Sequence, residues 1–133
     1  MAYLKPPWLV RRLFNPLAMR FGLGGSVTLT VAGRRSGSPH SVPVFPVDHG
    51  GSRYLVSARG ESDWVRNLRS TGTGEVRSGS GPAERFTAVE VPVGERAPII
   101  TVYLQKAGKT VDRYFTALPD PADHPVFRLE RPS

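Results

Sequence analysis

Two short segments of the chain concentrate residue types that bind anions. The first is Gly33-Arg34-Arg35-Ser36-Gly37. It offers two guanidinium groups, a hydroxyl and flexible turn amides. Arginine binds phosphate bidentately and successive turn N–H groups form an anion nest, so this set suits a phosphate. The same residues also make an ordinary solvated hairpin tip, and the segment alone leaves both readings open. The second segment is Ser57-Ala58-Arg59-Gly60, which runs into a helical stretch over 62–70. A strand end feeding a helix N-terminus presents free amides and the positive end of the dipole to an anion. Trp64, Asn67 and Leu68 fall at i, i+3 and i+4 and share one face of that helix. Trp64 there stacks on a planar ring or belongs to the core. Asn67 bonds a ligand's polar edge or clamps the barrel backbone, and buried amides favour the second role.

Other chemistries lack their parts. The chain has no cysteine, which excludes disulfides, thiolate metal sites and cysteine nucleophiles. His40, His49 and His124 have no metal-ligand spacing, so no metal is expected. There is no Gly-x-Ser-x-Gly elbow, and Glu61 and Asp63 read as helix N-terminal charges, not as an acid–base pair. Gly22-Leu23-Gly24-Gly25 precedes a strand instead of joining a strand to a helix, so it fails as a dinucleotide fingerprint and reads as a helix stop.

These segments need a frame. Residues 6–21 carry an apolar stripe at Val10, Leu13, Phe14, Leu17 and Phe21, which predicts a helix in two pieces kinked at Pro16. Alternating, β-branched runs predict strands at 27–31, 41–47 and 53–58, with Pro43 and Pro46 marking an edge or bulge in the second. Asp48-His49-Gly50-Gly51 is a hairpin turn. Ser62 is placed to cap the 62–70 helix, and Thr71-Gly72 to close it. Strands at 75–77 and 85–91, a helix over 95–107, a short helical piece over 112–118 and a last strand at 125–129 complete the order. Consecutive strands joined by hairpins predict an antiparallel barrel or sheet, not βαβ units. The expected class is α+β, mainly β, as one domain over 1–133 with an N-terminal amphipathic segment at 1–22.

Charge narrows the partners. Lys plus Arg number 18 against 11 acids, a net charge of +7, and no acid precedes Asp48. A cationic N-terminal third points to a phosphorylated cofactor, a nucleic acid or an anionic membrane, although such a net charge also serves solubility. The aromatics are not interleaved with the basic residues, which argues against nucleic acid. The basic, kinked 6–21 segment reads either as an interfacial membrane helix or as a cover for one barrel end. No apolar run approaches the roughly 20 residues of a membrane span. Arg11 and Arg12 break the only apolar N-terminal stretch, which argues against a signal peptide. The expected location is cytoplasmic, with peripheral membrane association through 6–21.

A resemblance joins these motifs. Gly33-Arg34-Arg35-Ser36-Gly37, the Pro43-containing strand, Leu55-Val56-Ser57-Ala58-Arg59-Gly60, Trp64-x-x-Asn67-Leu68 and Pro125-Val126-Phe127-Arg128-Leu129 together resemble the deazaflavin-dependent nitroreductase family, over about residues 5–130. The resemblance implies a split β-barrel of the FMN-binding type that uses coenzyme F420, with FMN the less favoured cofactor. It implies that Arg34, Arg35, Ser36, Gly37 and His40 lie against the coenzyme phosphate. Val56, Ser57, Ala58 and Arg59 then lie beside the deazaflavin, Trp64 and Asn67 close its pocket, and Pro43 belongs to the same cofactor-binding set. Some relatives carry a basic residue where His40 stands and Gly-Gly where this chain has Gly60-Glu61. The implied reaction is hydride transfer from reduced F420 to a small electrophile: a quinone, an enone or a nitro compound. Ser57, Tyr103 or solvent would supply the proton, and a homodimer is an admitted assembly. The alternative is a carrier of flavin, F420 or fatty acid with the same fold.

Overall fold

The computed structural model describes residues 26–132. The expected helix over 6–21, with its membrane or barrel-end role, and the glycine stop at 22–25 lie outside the described residues.

Strand β1 (Val27–Ala32) alternates as its sequence predicts: Leu29 and Val31 are buried while Thr28 and Thr30 lie on the other face. β2 spans Pro39–Val44 and β3 spans Val47–His49. The expected single strand at 41–47 is thus two strands. Phe45 and Pro46 form a corner between them, because a proline has no N–H for a continuous ladder. Gly50 and Gly51 turn the chain with positive φ (58° and 83°) into β4 (Ser52–Val56). β4 stops two residues short of the expected Ala58, and Ser57 to Gly60 form a turn.

Helix α1 spans Asp63–Thr71 and ends on Gly72, whose αL conformation (φ 74°) lets its N–H reach the Leu68 carbonyl. β5 (Thr73–Arg77) and β6 (Ala83–Glu90) follow, both starting two residues earlier than expected. Gly74 is needed there: a Cβ would meet the Phe86 ring at 2.9 Å and the Thr30 carbonyl at 3.2 Å. A one-turn 3₁₀ helix at Val93–Glu95 precedes α2 (Ala97–Ala107), so the expected helix over 95–107 begins at 97. α3 (Asp112–Ala117) and β7 (Val126–Glu130) complete the chain.

All strand pairs are antiparallel, in the order β2-β1-β5-β6-β7-β4-β3. The two edge strands are neighbours in sequence, joined by the Phe45-Pro46 corner, so the sheet curls into the half-barrel of the split-barrel class. Two apolar clusters fill it. Leu29, Leu55, Phe86 and Phe127 pack against Val65 and Leu68 of α1. Val56, Ala58 and Val126 pack against Ile99, Ile100 and Tyr103 of α2. Each fully buried Val, Leu, Ile or Phe among them stabilises the fold by roughly 1.5–3 kcal/mol.

Polar fasteners hold the ends of these layers. Arg69 at the end of α1 binds Glu61 and Glu90 bidentately at 2.8–3.1 Å. Buried Arg96 joins the same network through Glu90 (3.3 Å) and donates to the Val91 carbonyl (2.9 Å). His124 is fully buried; its Nδ1 lies 2.9 Å from the Ser57 carbonyl and its Nε2 meets the Leu118 carbonyl. The ring stacks on Phe115 at 3.9 Å.

Candidate active site

A cleft of about 570 Å³ opens between the turn joining β1 to β2 and the first half of α1. Its first wall is the 33–37 turn. Gly37 takes a positive φ of 74°, and its N–H donates to the Gly33 carbonyl at 2.9 Å. Gly33 is a close approach: a Cβ there would meet His40 Nε2 at 2.8 Å and Ser36 Oγ at 3.0 Å. Glycine thus lets the imidazole and the hydroxyl fold in over the backbone.

The facing wall is α1, and one residue couples the two. Asn67 is 5% exposed, and its Oδ1 accepts both the Arg34 N–H (3.0 Å) and Arg34 Nη1 (2.8 Å). Arg34 Nη2 also lies 3.6 Å from the Asp63 carboxylate. Asn67 is therefore a clamp on barrel backbone. Arg34 is held in place, while Arg35 lines the cleft with its side chain exposed. Trp64, half-buried, lines the cleft from α1 and rests its ring 6.1 Å from that of Phe127. Val31 and Val42 add apolar lining.

Of the residues singled out in the sequence, Arg34, Arg35, Ser36, His40, Trp64 and Asn67 come together along this cleft. Gly37, Pro43, Val56, Ser57, Ala58, Arg59 and Tyr103 do not line it. Pro43 pairs with Thr28 in the β-ladder. Val56 and Ala58 are core residues under α2, and Tyr103 points into the same core from α2 itself. Burial pushes the Tyr103 phenol up to about 12. Ser57 is 2% exposed and donates its hydroxyl to the Gly60 carbonyl. Arg59 lies over the Tyr114 ring (4.5 Å) and donates to its hydroxyl (3.2 Å). Arg113 donates to the same hydroxyl at 2.8 Å. Burial works against ionisation of Tyr114, but these two cationic donors outweigh it and lower its pKa.

Sequence reasoning missed Ser62 and Asp63 as cleft residues. Ser62 does stand at the N-cap of α1, as its type predicts, but its hydroxyl makes no capping bond. Only the fold reveals that, because a cap in sequence is recognised by residue type alone. Among the described residues, no three His, Asp or Glu side chains gather as a metal site.

The model of the F420H(2)-dependent quinone reductase family matches residues 7–115, more than half of the chain. The chain is similar to a solved F420-H2 dependent reductase, FDR-A, at 25% identity and a TM-score of 0.60, covering 80% of this chain and 94% of that one. A chain solved as a domain-swapped dimer shares the fold at 22% identity and a TM-score of 0.60, covering 95% of this chain and 100% of that one. So does a FAD-binding protein from Mesorhizobium loti, at 18% identity and a TM-score of 0.56, covering 91% of each chain. No curated protein matches. The anion-suited turn and aromatic wall that the fold brings together thus lie within a stretch matched as a whole, and the chain belongs to the F420H(2)-dependent quinone reductase family: it is a reductase whose coenzyme is the deazaflavin F420.

Proposed function

We propose that the cleft between the 33–37 turn and α1 holds F420, and that the enzyme reduces a small electrophile there: a quinone, an enone or a nitro compound. One observation carries this reading. A held arginine (Arg34) and an exposed one (Arg35) stand on one wall of a cleft whose facing wall carries Trp64.

The residues present fit the coenzyme. Arg34, Arg35, Ser36 and the Gly37 turn suit its phosphate, and the cradle over Gly33 brings His40 beside them. Val31, Val42 and Trp64 suit a flat ring. When bound, the reduced coenzyme supplies the hydride, and the protein supplies binding, orientation and a partly dehydrated site. Ser57 is assigned a positioning role. Its hydroxyl and the Ser62 N–H share the Gly60 carbonyl, which fixes where α1 begins. Neither Ser57 nor Tyr103 lines the cleft, so the proton for the reduced product is assigned to solvent.

The test is titration of the pure protein with oxidised F420 and, as control, FMN, followed by reduction of one quinone, one enone and one nitroaromatic. Saturable F420 binding with turnover of at least one acceptor supports the reading; no F420 binding overturns it. Two partner readings belong with it. Among the described residues no helix is long and apolar enough to cross a membrane. Peripheral contact through 6–21 is tested by flotation on anionic liposomes, and a homodimer by light scattering.

A further inference from the structure

Helix α1 begins without the bond its first residue is suited to make. Ser62 holds the extended backbone of an N-cap (φ −74°, ψ 169°), where a serine oxygen ordinarily accepts from an amide of the first turn. Here it does not. Its Oγ is shut off from bulk solvent and has no hydrogen-bond partner among the described residues. The residue is 7% exposed and lines the cleft. Its backbone, by contrast, is committed: the N–H donates to the Gly60 carbonyl at 2.8 Å, and the carbonyl accepts from the Arg66 amide at 3.1 Å. Ser62 is thus rigidly placed at a ligand cleft with one unused hydrogen-bonding group. Unpaired buried hydroxyls are costly, and native folds retain few of them.

We propose that the Ser62 hydroxyl recognises the pyrimidinedione edge of the coenzyme ring, the edge that alternates C=O and N–H groups. This rests on the assignment of F420 to the cleft. The position favours it. Ser62 lies about 7.5 Å along the helix axis from Asn67 at 1.5 Å per residue, and Asn67 is bonded to the cationic turn. Phosphate and ring edge therefore have separate anchors. The chemistry favours it too. A hydroxyl both donates and accepts, which matches such an edge. The N-terminal end of α1 favours a carbonyl oxygen with partial negative charge. The neighbouring Asp63 carboxylate, 86% exposed, opposes a fully anionic group at this end. Flavins share the same edge, so Ser62 recognises the ring class and does not separate F420 from FMN.

Ser62→Ala in the full chain tests this with three readouts. The first is thermal unfolding without coenzyme. The second is the dissociation constant of oxidised F420. The third is the acceptor KM at saturating reduced F420. The expected result is an unchanged or raised Tm, because no bond is broken, with F420 affinity weakened about three- to tenfold and an unchanged acceptor KM. A lowered Tm marks a structural cap and overturns the inference. So does an unchanged F420 dissociation constant, or a raised acceptor KM without one, which would assign the hydroxyl to the acceptor. Failure of the wild-type chain to bind F420 is a separate outcome: it overturns the parent reading and this one with it.

Discussion

Replacing Asn67 with alanine tests the coupling of the two cleft walls. Its Oδ1 receives the Arg34 N–H at 3.0 Å and the Arg34 guanidinium at 2.8 Å, and the residue is 5% exposed. The backbone bond is neutral and contributes about 0.5–1.5 kcal/mol net; the guanidinium bond is charge-assisted and contributes about 1.5–3 kcal/mol. Arg34 keeps 26% of its side chain exposed, so water recovers part of the second contribution. The expected loss is about 2–3 kcal/mol, a large share of the roughly 5–15 kcal/mol that holds a domain together. Asn67→Asp keeps both acceptor functions toward Arg34 and should lose less, although it adds a like charge at i+4 from Asp63. The assay is urea unfolding of wild type and both variants, with F420 titration alongside. Asn67→Ala should also weaken F420 binding, since the turn loses its tether to α1. Equal destabilisation by Ala and Asp, or an Ala variant within 0.5 kcal/mol of wild type (the range expected of a neutral surface site, at about that size), refutes the reasoning.

Arg35→Ala should weaken F420 binding roughly tenfold or more, the loss of one charge-assisted phosphate contact; the exposed position predicts an unchanged Tm, and coenzyme titration beside thermal melting checks both. Tyrosine absorbance in alkali should show Tyr114 ionising below the ordinary value of 10, and Tyr103 only near 12. The raised Tyr103 favours its neutral form in the fold, so its contribution is full below pH 10 and is lost as pH rises through about 12; Tyr103→Phe should remove that alkaline loss from a stability–pH curve. The bond from Arg69 holds Glu61 below its ordinary 4.5, so its contribution is present above that pH and is lost as the solution is acidified through the folded value. Glu61→Gln should flatten the acid limb of the same curve.

Much of this architecture was legible in the sequence, and the gaps have physical causes. Alternation reports which face of a strand is buried, so β1 and the Trp64-Asn67-Leu68 face of α1 could be read directly. Alternation does not report where a strand bends, and the Phe45-Pro46 corner passed as continuous β. The 33–37 turn could be singled out by its anion-suited composition. Its tether could not be read that way, because Arg34 and Asn67 are 33 residues apart and meet only when β1 packs beside α1. The resemblance carried Ser57, Ala58 and Arg59 toward the coenzyme by position in sequence, and Tyr103 stood as a candidate proton donor. In the fold Ser57 turns to Gly60, Arg59 to Tyr114, and Ala58 and Tyr103 into the core. Side-chain direction at a strand end depends on the turn that follows, and one residue of register reverses it.

The proline spacing in β2 bears on how copies of this chain can meet. Residues 39, 41 and 43 share one direction of the pleat and pair with Ala32, Thr30 and Thr28 on the single neighbour β1. Prolines at 39 and 43 have no N–H for that ladder, so this rank of nitrogens is the one that faces outward. Among the described residues, this rim of β2 therefore offers one amide, that of Ser41, where a strand of ordinary residues would offer three. A foreign strand seeking to extend the sheet meets a margin with almost no donors, and at the opposite margin it meets β3, only three residues long. Among the described residues, both margins are thus poor templates for sheet growth between molecules, which favours meeting through faces or exchanged segments over meeting through sheet margins.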